Sequence, residues 1–363
     1  MGSHREAVTE SRLYEAPVDR ATTDRATSHA PGVTAAAVRA FAKTLGFDSI
    51  GFARGDLPLE ADFEHYRDFI GAGYQGEMAW LAKYGDVRRR VDTPNILENA
   101  KTVICIAERY QRSKSEEAAD SPLAKRIARY ARGRNYHGFL KKKLRKLAAF
   151  VESTAGCGTK TRVLCDDAPI LERAWAARAG LGFVGKNGML IVPGQGSFVL
   201  LGEIVTTVSI EADLPMRERC GACTRCLDAC PTSAFPEPFV LDARKCISYL
   251  TIEHRGEIAE PLRTQIGDHL FGCDDCQTVC PFNASSRPRE IASTIEPYRP
   301  LPRWENTTIE ALTNLTESAW EELSQGSSLR RATHAGLVRN AKIVADNTGI
   351  GHDRTAGESK LRT

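Results

Sequence analysis

The chain has no apolar stretch long enough to cross a membrane. Its longest, Ser197 to Ile210, is broken by Glu203 and falls short of the ~20 residues a spanning helix needs. The first 31 residues lack the apolar core of an export signal, because Arg5, Glu6, Glu10, Asp19, Arg20, Asp24 and Arg25 interrupt every run. That segment reads as a polar tail. An excess of one charge is also missing: 49 Lys and Arg stand against 46 Asp and Glu, a formal net charge of +3. So small a surplus designates no partner. One acid-free stretch is also strongly basic. Between Asp120 and Glu152 there is no acid, while Lys125, Arg126, Arg129, Arg132, Arg134, Lys141, Lys142, Lys143, Arg145 and Lys146 supply ten positive charges. A strongly basic segment therefore sits inside a nearly neutral protein.

What is present describes a globular chain. Its 363 residues, 42% hydrophobic and 26% charged, are enough for two domains and a sizeable core. From about Gly32 to Ile210 helical and short apolar segments alternate, the pattern of an α/β or α+β domain. Helices are expected over Val33–Leu45, Ala61–Tyr84 and Ile170–Ala179. The basic stretch should run into another, with Leu140, Leu144, Leu147 and Val151 at helical spacing. Strands are expected at Asp48–Ala53, Thr102–Ala107, Arg162–Cys165, Gly188–Val192 and Phe198–Val208. The texture changes near Asp213. From there to Pro300 the chain is rich in Cys, Pro and Asp, and its order is expected to come from inorganic clusters rather than from a large apolar core. A helix is expected over Ser327–Ala345, followed by a polar end. The division is then a tail at 1–31, an α/β domain at 32–212, a cluster domain at 213–300 and a helical extension at 301–363.

Cysteine is the informative component. Eleven are present, and eight of them fall between Cys220 and Cys280. With no export signal, clustered thiols read as metal ligands in a reducing cytoplasm. Cys220-x2-Cys223-x2-Cys226-x3-Cys230-Pro231 resembles the run of bacterial ferredoxins, whose fourth Cys ligates the other cluster. A second run, Cys273-x2-Cys276-x3-Cys280-Pro281, is one thiolate shorter, and Cys246 completes a set of eight. Two 4Fe-4S clusters need eight. Crossing of the fourth ligands assigns Cys220, Cys223, Cys226 and Cys280 to one cluster, and Cys230, Cys246, Cys273 and Cys276 to the other. Structural zinc also takes four thiolates per site, but it does not require this run. Cys105, Cys157 and Cys165 read as ordinary cysteines.

Clusters only carry electrons, so a catalyst needs a terminal site. The segment Asp166-Asp167-Ala168-Pro169 through Glu172, Arg173, Gly180, Gly182 and Gly185-Lys186-Asn187 is dense in functional residue types. Together with Cys246-Ile-Ser-Tyr-Leu-Thr-Ile-Glu253 and Gly272-Cys-Asp-Asp-Cys-Gln-Thr-Val-Cys-Pro281, it closely resembles the epoxyqueuosine reductases. The resemblance runs from about Val33 to Asn283. It implies a nitroreductase-like cobalamin-binding domain followed by a ferredoxin-like domain with two 4Fe-4S clusters. It also implies reduction of epoxyqueuosine to queuosine at the wobble position of tRNA, with electrons passing from a low-potential donor through the clusters to cobalamin.

By the same resemblance the catalytic acid is Asp166, which opens the family's Asp-(Thr/Ser)-(Ala/Gly)-Pro motif. Here Asp167 takes the Thr/Ser place, so two carboxylates adjoin and which of them holds the proton is open. Arg90 (in Arg90-Val-Asp92-Thr-Pro), Tyr130, Tyr136, His137, Lys186 and Asn187 are the implied cobalamin contacts, the last two through backbone groups near glycines. Asn135 stands where the family pattern has Asp. The basic stretch from 125 to 146 is the candidate tRNA surface, and Arg330, Arg331, His334 and Arg339 form a second basic patch. The chain is read as a monomer without membrane contact. A reductive dehalogenase-like corrinoid enzyme and a non-catalytic ferredoxin-type carrier are the alternatives.

Overall fold

The computed structural model describes residues 33–284 and 296–350. The polar tail expected over residues 1–31 and the polar end beyond residue 350 lie outside the described residues. Six strands occur in the sequence order β1 (Ser49–Arg54), β2 (Thr102–Arg109), β3 (Thr161–Leu164), β4 (Phe183–Val184), β5 (Leu190–Ile191) and β6 (Val199–Thr206). Four make one sheet in the order β1-β2-β6-β3, and β4 with β5 makes a separate hairpin. Every pairing between strands is antiparallel, so of the two classes that alternation allowed, the sheet is of the α+β kind. β2 lies inside the sheet, and all eight of its residues are buried, as its β-branched composition suits.

Successive side chains of a strand point to opposite faces, and each face carries its own core. On one, Ile104, Ile106 and Ile204 meet Leu140, Leu144, Leu147 and Val151 of the helix Tyr136–Ala155, with Val38 and Ala42 of the helix Ala35–Thr44 alongside. On the other, Val103, Cys105 and Val205 meet Ala174, Trp175 and Ala176 of the helix Glu172–Arg178. Each buried Leu or Ile contributes roughly 1.5–3 kcal/mol. The end of the second helix comes so near β1 that a Cβ on Gly51 would stand 2.0 Å from the Ala179 carbonyl oxygen.

The cysteine-rich region joins this domain at Asp213, which accepts two bonds from Arg39 (2.5 and 2.6 Å) and one from the Phe52 amide (2.9 Å). No residue from 211 to 230 is buried. The two cysteine runs fold alike. Helices of four residues, Arg225–Asp228 and Asp275–Thr278, carry Cys226 and Cys276 at equivalent positions. Each begins with the same pair of turns, closed on the carbonyls of Thr224 and Asp274. Residues 301–350 share one apolar core with Leu123, Ala124, Ile127 and Ala131 and with Ile252, Leu270 and Phe271. Trp304 fixes that contact by donating Nε1–H to the Arg132 carbonyl at 2.7 Å.

Two elements differ from expectation. The helix expected over Ala61–Tyr84 ends at Gly71, and only the short turn Ala79–Ala82 follows. Gly73 and Gly76 between them take φ of +68° and +56°, which a helix cannot contain. The helix expected over Ser327–Ala345 is a turn Ser328–Ala332 and a helix Thr333–Thr348, parted at Thr333, where φ is +64°.

Candidate active site and cluster cavity

β3 delivers the chain to Cys165, and Asp166 then turns it with a left-handed φ of +55°. That backbone is costly for a residue with a Cβ, on the order of 1–3 kcal/mol. It is held by the Asp166 amide donating to Glu172 Oε1 at 2.6 Å. The Asp166 side chain is 60% exposed. Its Oδ2 accepts the Tyr136 hydroxyl at 2.7 Å and lies 3.5 Å from His137 Nε2, within charge range though too far for a direct hydrogen bond. Burial and the Asp166 charge push the Tyr136 phenol far up, so it remains a donor. Tyr136 stacks on His137 with ring centroids 4.2 Å apart, and Tyr130 meets Tyr136 edge-on at 6.3 Å.

Asn135 caps the helix Tyr136–Ala155. Its Oδ1 accepts the His137 amide at 3.1 Å and stands 2.7 Å from His137 Nδ1. Because this oxygen is an acceptor, Nδ1 carries the hydrogen and Nε2 is the nitrogen facing Asp166. The amide at position 135 thus performs the capping that a carboxylate would.

The two aspartates are unlike. Burial acts to raise the Asp167 carboxyl, but the Lys141 ammonium at 2.6 Å and the Cys165 amide at 3.0 Å outweigh it and hold the group below the usual carboxylate range. Asp167 stays ionised, and Asp166 is the carboxyl that faces the open side. Beneath it lies a feature that reading the sequence for motifs does not reveal. Glu203, in the middle of β6 and 0% exposed, pairs with Glu172, whose amide contact supports Asp166. The only visible signal is a glutamate inside the longest apolar run.

The eight cysteines gather in two groups. Cys220, Cys223, Cys226 and Cys280 line one cavity of about 290 Å³, backed by Phe183, Ile191 and Phe282. The thiols of Cys246, Cys273 and Cys276 lie close to one another and to Cys230. Cys226 and Cys276 are electrostatic neighbours across the two groups. Burial pushes the Cys220 thiol up to about 12 and raises Cys226, Cys246, Cys273, Cys276 and Cys280. A soft cation is what draws thiolates out of such surroundings. Lys186 and Asn187 border the first group. Lys186 donates to the Gly221 carbonyl at 2.6 Å and Asn187 to the Cys276 carbonyl at 3.4 Å, so their side chains are committed to the cysteine loops. Arg90 stands apart, half-exposed, 3.4 Å from Asp92.

The basic stretch is not one surface. Arg129 pairs with Glu117 and Asp274, Arg132 with Asp120, Lys141 with Asp167 and Lys143 with Glu108. The acids missing from the segment arrive from elsewhere in the chain. Arg134, Lys142, Arg145 and Lys146 are exposed and pair with no carboxylate among the described residues. The second basic patch is likewise spent: Arg330 pairs with Glu321 and Arg331 with Glu253, His334 sits on the Leu315 carbonyl, and Arg339 donates to the carbonyls of Leu250, His254 and Gly256. No helix among the described residues is long and apolar enough to cross a membrane.

Residues 219–283 match the model of a 4Fe-4S double cluster binding domain, and residues 90–167 match that of epoxyqueuosine reductase QueG, DUF1730. The chain is 42% identical over 318 residues to the epoxyqueuosine reductase of Gloeobacter violaceus, an alignment covering 87% of this chain and 97% of the relative. A second relative, from Xanthomonas campestris, is 38% identical with 92% of each chain covered. Among solved structures, that of epoxyqueuosine reductase with an epoxyqueuosine-modified tRNA-Tyr stem loop superposes with a TM-score of 0.75 at 30% identity, covering 85% of this chain and 80% of the other. The structure from Streptococcus thermophilus gives 0.72 at 30% identity, covering 88% and 82%. With its sheet, its exposed Asp166 and its paired thiol groups now placed, the chain belongs to the epoxyqueuosine reductase family.

Proposed function

We propose that the protein reduces epoxyqueuosine to queuosine in the anticodon loop of tRNA, in the cytoplasm. Two 4Fe-4S clusters would pass electrons from a low-potential donor to cobalamin, and Asp166 would supply a proton. The observation that carries this reading is Asp166, an exposed carboxyl gripped by a phenol, in a chain that also gathers four thiols around one cavity. That shared cavity supports Cys220, Cys223, Cys226 and Cys280 as the ligands of one cluster. The nearness of the other four thiols supports Cys230, Cys246, Cys273 and Cys276 for the second. Neither set includes a carboxylate, as iron–sulfur ligation favours.

The segment between Asp166 and the thiols leaves space on one side of a turn. The Asp166 amide is tied to Glu172, and the next residue, Arg173, donates to the Gly188 carbonyl. At Gly188 φ is +73°, and a Cβ there would meet only Arg173 Nη1, at 3.3 Å. One side of the turn is thus open to a flat ligand. Arg90, Tyr130, Tyr136, His137 and the backbone of Lys186 and Asn187 are the residues proposed to hold the group. When bound, cobalamin supplies low-potential reducing electrons at the carbon–oxygen bond.

The protein's own residues manage protons and position. An epoxide reduced to an alkene takes up two electrons and two protons and loses its oxygen as water, and an alkoxide leaves poorly unless protonated. Tyr136 occupies Asp166 Oδ2, which leaves Oδ1 to present the acid proton. Tyr130, Tyr136 and His137 form an aromatic wall beside it, against which a splayed base can be held. The reductive dehalogenase-like and simple carrier readings are not favoured, because the relatives that align with most of this chain are epoxyqueuosine reductases.

The test is anaerobic reconstitution with iron, sulfide and cobalamin, followed by assay on epoxyqueuosine-containing tRNA. The wild type should turn over. Asp166→Ala should lose roughly 10²–10⁴-fold in kcat while keeping the visible absorbance of clusters and corrin. Full activity in the variant would remove Asp166 from the acid role.

A further inference from the structure

Two protons are needed per epoxide, and Asp166 carries one. Asp167 cannot be the second, since Lys141 and the Cys165 amide hold it ionised. A second, buried acid lies behind Asp166.

Behind Asp166 lies the Glu172–Glu203 pair. Glu203 projects from β6 on the face covered by the helix Glu172–Arg178. Its cross-strand neighbours there are Cys105 on β2 and Leu164 on β3. It is 0% exposed, and no N–H or O–H donor reaches either of its carboxyl oxygens. The Glu172 carboxyl is its charged neighbour. A carboxylate left without a donor in such a place would cost several kcal/mol, so Glu203 is held protonated. The pair therefore holds at least one proton. Its other end is at the site, because Glu172 Oε1 accepts the Asp166 amide at 2.6 Å.

We propose that the Glu172–Glu203 pair is an internal proton store that acts through Asp166. After Asp166 gives its proton to the departing oxygen, the pair passes a second one to the Asp166 carboxylate, which delivers it so that the oxygen leaves as water. The two electrons come from the donor, clusters and cobalamin proposed above, and the pair is reloaded from solvent after product leaves. The inference rests on the functional reading above.

The charge environment agrees. Burial first, then the negative charge of Asp166, raise Glu172 to about 7, and burial with Glu172 raises Glu203 well beyond the usual range. The groups facing the pair are Asp166 and Asp167 on the turn, Arg173 on the same helix, and the thiols of Cys105 on β2 and Cys165 at the end of β3. The hydrogen bond from the Asp166 amide and the charge of Arg173 oppose the shift. Because the proton is bound more tightly than in the unfolded chain, it is retained at acid pH and lost as pH rises through about 7.

Two readouts test this. Infrared spectroscopy of the reconstituted enzyme should show a protonated-carboxyl band at pH 6 that weakens by pH 8. The band should fade at lower pH in Glu203→Gln, and in Glu172→Gln it should no longer weaken by pH 8, because the buried Glu203 carboxyl alone then carries it. In the assay, kcat of the wild type should fall as pH rises through about 7. Glu172→Gln should lower kcat at least about tenfold, leave KM for tRNA unchanged and abolish that alkaline limb. Glu203→Gln, if it folds, should move the limb to lower pH, since an amide can donate to Glu172 and favour its ionised form. Absence of the band in the wild type overturns the proposal, as does a Glu172→Gln enzyme with wild-type kcat and pH profile. A wild type that carries the band but never turns over epoxyqueuosine sinks the functional reading instead.

Discussion

The strand β2 and the segment 211–230 represent opposite ways of fixing a backbone. In β2 all eight residues are buried between two apolar layers; from 211 to 230 none is buried. The first is determined by water exclusion, which acts on every residue a little. The second has only turns of four residues and four half-buried thiols, Cys220, Cys223, Cys226 and Cys230, so a few strong bonds must do what many weak ones do elsewhere. Loss of one ligand should therefore be far more local, and far more severe, than loss of one core side chain.

The most drastic way to break the contrast is Cys226→Ala. With one thiolate missing, the cluster in its cavity should not assemble, and the binding energy that organises the loops, on the order of 10 kcal/mol by the standard of structural metal sites, disappears with it. Hydrogen exchange should show residues 214–230 losing protection outright while β2 and β6 keep theirs. Equal loss of protection in the sheet would mean that the cysteine region is integral to the core after all. Next in size is Leu140→Ala, in the helix Tyr136–Ala155. Leu140 is 0% exposed against Ile104 and Ile106, so truncation should cost about 2–5 kcal/mol, read as a lower denaturant midpoint. The reconstituted protein should still bind its iron in buffer.

The same contrast decides what the sequence reveals. Periodic apolar spacing is a local signal, and it found the buried face of the helix Tyr136–Ala155 and placed the ends of β2 and β6 to within two residues. It misled over Ala61–Tyr84, where Gly71, Gly73 and Gly76 end a helix that side-chain spacing alone would continue. Cysteine spacing is local too, and the four cysteines that it puts in each set lie near one another in the structure. What was not legible is whatever depends on residues distant in the chain. The difference between Asp166 and Asp167 is made by Tyr136 and Lys141, each about 30 positions away. Glu117, Asp120, Asp274 and Glu108 neutralise cations in a stretch that contains no acid of its own. Glu203 is invisible as a functional group because its partner arrives on another element.

The smallest effect on stability should come from the outer face of the helix whose inner face carries Leu140. Lys142, Arg145 and Lys146 are exposed there, one to two turns beyond the Tyr136 and Lys141 contacts that hold the two aspartates. Replacing Lys142 and Lys146 by Glu removes no contact from the core, so the denaturant midpoint should change by no more than about 0.5 kcal/mol per site. Affinity for tRNA should fall instead, with each lost phosphate contact flattening the dependence of log K on log salt by about 0.7 for single-stranded RNA. Filter binding of an anticodon stem loop over a salt series measures both quantities. If the double variant binds with the wild-type slope, phosphates do not lie on this face. The cations of this helix would then serve only Asp167 and Glu108, which are already paired.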